Sequence, residues 1–183
     1  MLLHPHLYSL ENILKYKYAI NEWQCLLHCQ MQKRLYLDTS VFGGYFDIEF
    51  DFWTKILFDQ IYNEQYFVLY SYLTDNELLN APLKVQELVK TIPIDKIQFI
   101  EISDKALELA ELYINENVVG STSISDCIHI ALATIYDTDI LVSWNFKHIV
   151  NEKRIHGYNS VNLSKGFKIL EIMSPKQILT YEE

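Results

Sequence analysis

The feature that most constrains this chain is an alternation: short apolar runs take turns with segments whose apolar residues recur at helical spacing. The runs are "RLYLD" (34–38), "YFVLYS" (66–71), "IQFIEI" (97–102), "ILVS" (140–143) and "FKILEI" (167–172). They are rich in branched and aromatic residues and read as strands. Between the first two, "FWTKILFDQIYNEQ" (52–65) places Phe52, Ile56, Leu57 and Ile61 at helical intervals. "LTDNELLNA" predicts a helix capped by Thr74, with Glu77 as its capping-box partner and Pro82 as its stop. "VQELVKTI" predicts another that ends near Pro93. Ser103 is a cap for "DKALELAELYINEN" (104–117), where Ala106, Leu109, Ala110 and Tyr113 share one face. A further helix is expected over 124–136, capped by Ser123 or Ser125, with a turn at 137–139. Strands and helices that alternate with short connections predict an α/β fold with a mainly parallel central sheet covered on both faces. The 183 residues suit one domain. Residues 1–33 are poorly patterned and read as an N-terminal extension to a domain over 34–183. Met31 stands just before the first strand as an alternative start.

Charge narrows the partners. A net charge of -9 argues against binding nucleic acid by bulk electrostatics. From Asn145 to Lys168, however, Lys147, Lys153, Arg154, Lys165 and Lys168 stand against the single acid Glu152. That stretch is either a solvated surface loop or a cationic flank for a phosphate. Three cysteines give no disulfide framework, which places the chain in a reducing, cytoplasmic setting. "CLLHC" (25–29) has Cys25, His28 and Cys29 but no fourth ligand at zinc spacing, and reads as apolar filler. No run approaches the ~20 apolar residues of a membrane span, and no signal peptide is evident.

Ligands of open α/β sheets bind beyond the carboxyl ends of the strands, so polar residues there are the candidates. Asp38 ends the first strand, with Thr39 and Ser40 after it. Ser71 ends the second, with Glu77 in the helix beyond. Ser143 ends the 140–143 strand, with Asn145 two residues on. Asp126 instead opens a helix, where the macrodipole favours a carboxylate by ~0.3–1 kcal/mol. Each acid has a structural alternative as a cap or strand end. If Asp38, Glu77 and Asp126 converge, their repulsion calls for a cation. Hard oxygen donors point to Mg²⁺ or Mn²⁺, and such an ion suits phosphodiester hydrolysis.

The segments "YLDTSVFGGYF", "LTDNEL", "SDCIHIALA" and "ILVSWNFKHIVN", in this order, resemble PIN domains, in particular the VapC-like toxins of bacterial toxin–antitoxin pairs. The similarity runs from about residue 34 to 175. It implies a PIN-like three-layer α/β/α sandwich and a metal-dependent ribonuclease that leaves a 5′-phosphate and a 3′-hydroxyl. It also implies a small antitoxin partner and a homodimer. Asp38, Glu77 and Asp126 match the family's first three acids. Asn145 falls where many members carry a fourth acid. Thr39, Ser40 and Ser143 match hydroxyl residues that orient the site, where they face substrate, and Lys147 and His148 are the candidates for its phosphate. His129, three residues after Asp126, reads as a packing residue beside the site and not a ligand. Trp144 and Phe146 could stack bases or pack in the core.

Other chemistries fit less well. A phosphatase of the haloacid-dehalogenase type wants a second aspartate two residues after Asp38, where Ser40 stands. "FGGYF" lacks the spacing of a phosphate-binding glycine loop. The remaining alternative is a PIN-like module that has lost catalysis and binds RNA or an antitoxin, motivated by the uncharged Asn145.

Overall fold

The structure is a computed structural model, and it describes residues 32–63 and 65–181. Residues 1–31 of the extension, with the alternative start at Met31 and the "CLLHC" segment, lie outside these residues, and Lys33, placed in the extension by the sequence, already belongs to the first strand. Five parallel strands form one sheet: β1 (Lys33–Leu37), β2 (Tyr66–Ser71), β3 (Ile97–Ile100), β4 (Ile140–Val142) and β5 (Glu171–Met173). Their spatial order is β3-β2-β1-β4-β5. The chain builds outward from β1 to β2 and β3, then returns to place β4 on the other side of β1. The switch point therefore lies between β1 and β4, where Leu35 pairs Ile140 and Leu37 pairs Val142.

Eight α-helices are described: α1 (Thr39–Gly44), α2 (Asp51–Tyr62), α3 (Tyr72–Leu78), α4 (Leu83–Leu88), α5 (Asp104–Asn115), α6 (Ile124–Ile135), α7 (Glu152–Ser164) and α8 (Pro175–Tyr181). Alternation along the strands sorts them into two layers. Leu35, Leu37, Val68, Tyr70, Ile140 and Val142 face Val41, Phe42, Leu57, Phe58, Ile61, Leu78, Val85, Leu88 and Ile178 of α1–α4 and α8. Tyr36, Leu69, Ile100, Leu141 and Ile172 face α5–α7, where Ala106, Ala110, Ala131 and Ala133 let helices approach closely. The result is a three-layer α/β/α sandwich, consistent with the PIN-like architecture expected. Each fully buried Leu, Ile, Val or Phe contributes about 1.5–3 kcal/mol.

Helix ends follow local chemistry. α5 and α6 both stop at a residue in the left-handed region, Asn117 (φ 58°) and Asp137 (φ 51°). At the second, Thr138 N–H bonds Ala133 C=O (3.0 Å) and Asp137 N–H bonds Thr134 C=O (3.2 Å). Those bonds satisfy carbonyls the helix would otherwise leave open.

Four expectations need correction. The cap of α3 is Ser71, whose hydroxyl accepts from Thr74 N–H at 3.1 Å, so Thr74 sits inside the helix and frees Glu77 from any capping box. No side chain caps α6: Ser123 and Ser125 turn their hydroxyls elsewhere. The last strand forms at Glu171–Met173 and not over 167–172, because Asn159 takes both backbone groups of Leu170 (2.8 and 3.1 Å) out of the ladder. The basic stretch is not simply a loop: Asn151 accepts from Arg154 N–H and opens α7 there. The second glycine of "FGGYF" also has a packing reason. A Cβ on Gly44 would come within 2.7 Å of the Trp144 ring.

Candidate metal centre

The end of β1 delivers Asp38 to the switch point, where its backbone N–H bonds Val142 C=O at 3.0 Å. The residue is 5% exposed. Its Oδ2 accepts from Ser40 and from Ser143, each at 2.6 Å. Those two serines also order the exit from β4: Ser40 Oγ accepts from Trp144 N–H and Ser143 Oγ from Asn145 N–H, both at 2.9 Å. One carboxylate oxygen is thus fully engaged by hydroxyls, and Oδ1 faces inward toward α6.

Glu77 arrives from α3, half-buried, with Oε2 accepting from Thr39 and Oε1 from Ser125. Between the two acids stands His129 of α6, 2% exposed. Its Nε2 lies 3.2 Å from Glu77 Oε2 and 3.4 Å from Asp38 Oδ1. Its Nδ1 lies 2.7 Å from the hydroxyl of Tyr36, which is itself 2.7 Å from Ser71 Oγ. Burial raises the Glu77 carboxyl, but the bond and charge of His129, with the Ser125 and Thr39 hydroxyls, outweigh it and bring the group down to about 2. For His129, burial disfavours the imidazolium, yet the bond to Glu77 and the charges of Asp38, Glu77 and Asp126 leave it above its ordinary value. Asp38, Glu77 and His129 each offer one ligand atom, and these atoms lie within 4.8 Å of one another. Their chemistry, two carboxylates and an imidazole held by hydroxyls, fits a divalent metal ion.

Asp126 enters from the first turn of α6 and remains outside that triplet. Burial raises its carboxyl, His148 lowers it, and the charges of Asp38, His129 and Glu77 all reach it. Its Oδ1 accepts from Asn145 Nδ2 at 2.8 Å, and Asn145 Oδ1 accepts from His148 N–H at 2.9 Å. A backbone N–H can meet only the amide oxygen, so the orientation of the amide is fixed. Asn145 is a cross-link between an acid and the loop after β4.

Comparison with known proteins adds little. No family model matches the chain, and no curated protein matches it. A solved structure, VapBC2 from Rickettsia felis bound to a DNA fragment from their promoter, aligns with 76% of this chain and 98% of its own. The identity is 17% and the TM-score 0.46. The functional reading therefore stands on the site.

Around the centre, Thr39, Ser40 and Ser143 all spend their hydroxyls on the carboxylates. Lys147 is exposed, and His148 is half-buried with Nδ1 near Ser123 Oγ (3.1 Å) and Arg154 Nη1. Trp144 belongs to the core: it is 8% exposed, stacks on Phe50 and donates from Nε1 to Thr54. Phe146, by contrast, is 49% exposed. Sequence reasoning missed Ser125 and Tyr36 as parts of the site, and His129, expected to pack beside it, is buried between its two acids. The signal for His129 was its place one turn after Asp126, since residues three apart are neighbours on a helix. Nothing in the sequence points to Tyr36. Among the described residues no helix is long and apolar enough to cross a membrane.

Proposed function

We propose that residues 34–183 form a metal-dependent endoribonuclease that hydrolyses RNA phosphodiester bonds, the toxin of a toxin–antitoxin pair acting in the cytoplasm. One observation carries this reading: two carboxylates from different elements, Asp38 and Glu77, are held within reach of each other at the switch point of a parallel sheet. Two acids are brought together there by hydroxyls that fix their orientation, an arrangement a purely structural site does not need. Asp38, Glu77 and Asp126 would hold Mg²⁺ or Mn²⁺, and such an ion supplies an activated water and stabilises the charge that develops on phosphate. Ser40 and Ser143 keep Asp38 aimed, Thr39 and Ser125 do the same for Glu77, and Asn145 holds Asp126 in place. Lys147 and His148 line the approach of the RNA and offer donors for its phosphate, while Thr39, Ser40 and Ser143, expected from the sequence to face substrate, act on it through the carboxylates their hydroxyls hold. A small antitoxin and a second copy of the chain complete the proposed partners.

Incubating the protein with RNA and Mg²⁺ or Mn²⁺ tests this. Cleavage should occur and should vanish in both Asp38→Asn and Asp126→Asn. Cleavage that survives both substitutions belongs to a contaminant and refutes the proposal. The cross-linking role of Asn145, which brings no charge, favours a second reading: a module that binds RNA or an antitoxin without cutting. RNA binding with no cleavage under either metal is the result that selects it.

A further inference from the structure

We propose that His129 Nε2 is itself a ligand of the metal, so that the centre has a mixed oxygen–nitrogen donor set and prefers Mn²⁺ to Mg²⁺. The inference rests on the reading of Asp38 and Glu77 as metal ligands, and it departs from an all-oxygen site.

The argument is one of hydrogen-bond polarity. Behind His129 runs a buried chain of hydroxyls: Tyr36, then Ser71 at 2.7 Å, then Thr74 at 3.0 Å, ending at the carbonyl of Leu37 at 3.5 Å. A carbonyl only accepts. Thr74 therefore donates to Leu37, Ser71 to Thr74 and Tyr36 to Ser71. Tyr36 is left with a lone pair toward the ring, so His129 Nδ1 carries a proton and donates at 2.7 Å. Burial raises the Tyr36 hydroxyl well above its usual range, so it keeps its own proton.

Nε2 then faces Glu77 Oε2 at 3.2 Å and Asp38 Oδ1 at 3.4 Å. A bare imidazole lone pair against two carboxylate oxygens is repulsive, so a positive group must sit there. With metal present it is the ion. Bonds of about 2.1 Å at right angles put neighbouring donor atoms roughly 3 Å apart, which is the spacing of Nε2 from both oxygens. A metal-bound histidine characteristically donates its other N–H to a fixed acceptor, and Tyr36 is that acceptor. Mg²⁺ takes oxygen and keeps its waters, whereas imidazole nitrogen suits transition ions better.

The test uses the full chain and the metals alone. Mn²⁺ is bound to the protein, and pulsed electron paramagnetic resonance reads the nuclei around the ion. Directly bound nitrogen should appear as ¹⁴N modulation, change to the ¹⁵N pattern when histidine is ¹⁵N-labelled, and vanish in His129→Gln. The labelled wild type needs no substitution, so a His129→Gln chain that fails to fold leaves the result readable. Calorimetric titration should show Mn²⁺ at least tenfold tighter than Mg²⁺, with the ratio collapsing in His129→Gln. Mn²⁺ that binds, is lost in Asp38→Asn, and shows no nitrogen coupling overturns this inference while leaving the carboxylate metal site standing. A nitrogen signal that disappears in His148→Gln instead overturns it too. Failure of Mn²⁺ to bind at all removes both.

Discussion

Replacing Tyr36 with phenylalanine deletes one hydroxyl from the middle of the buried chain and leaves the ring in the core. Tyr36 is fully buried, and its hydroxyl lies 2.7 Å from both Ser71 Oγ and His129 Nδ1. The two neighbours are not equally harmed. Ser71 still reaches Thr74 Oγ1 at 3.0 Å and still accepts from Thr74 N–H at 3.1 Å. His129 Nδ1 has no other partner among the described residues, and the ring is 2% exposed. Stranding a buried donor costs about 1–3 kcal/mol, with charged groups at the upper end, so the expected loss is about 2–3 kcal/mol. For a chain of this size that lowers Tm by roughly 4–12 °C, at ~2–4 °C per kcal/mol. Circular dichroism melts of the wild type and Tyr36→Phe without metal measure it. A double-mutant cycle isolates the cause. In a His129→Leu background no imidazole N–H is left to strand, and the same substitution should cost about 1 kcal/mol less or better. A loss under about 0.5 kcal/mol, or no coupling between the two positions, would show that the inferred polarity of the chain is wrong.

Two further outcomes follow from the site. The Glu77 carboxyl is depressed from 4.5 to about 2, so its stabilisation is present above 4.5 and lost as pH falls toward 2. His129 is raised above 6.5, so its contribution is present below 6.5 and lost as pH rises through its folded value. Urea melts without metal should therefore find the pair at full strength between about pH 4.5 and 6.5, falling on either side; a Glu77→Gln variant with the same acid limb as wild type would contradict this. Asn145→Asp exchanges a donor to Asp126 for a second carboxylate. Metal-free stability should drop by about 1–2 kcal/mol, and saturating Mn²⁺ should raise the variant's Tm by more than the wild type's. An equal response in both proteins takes Asn145 out of the site.

Much of the fold was written locally. Strands β1, β2 and β4 and helices α2 and α6 sit where their apolar period puts them, and α5 also begins at its expected cap, Ser103, because burial of one face and the satisfaction of a helix end are decided within a few residues. The failures share a different cause. Asn159 withdraws Leu170 from the sheet across 11 residues of chain, and Ser71 displaces Thr74 as a cap because β2 ends in an extended conformation that aims its hydroxyl at the helix. The first lies beyond a window of a few residues; the second is a contact three residues long that turns on where β2 stops.

The sequence alone determined that an α/β sheet would form and that Asp38, Glu77, Asp126 and Asn145 would stand at its polar rim. It could do so because strand ends and helix starts are local, and the short helix that follows β2 carries Glu77 within a few residues of such an end. Only the tertiary structure decided what each of them touches. It put His129 between two acids drawn from β1 and α3, aligned Tyr36, Ser71 and Thr74 into one directed chain, and turned Asn145 into a link between Asp126 and the backbone of His148. Distances of about 3 Å between residues dozens of positions apart depend on how layers pack, and no local pattern encodes them.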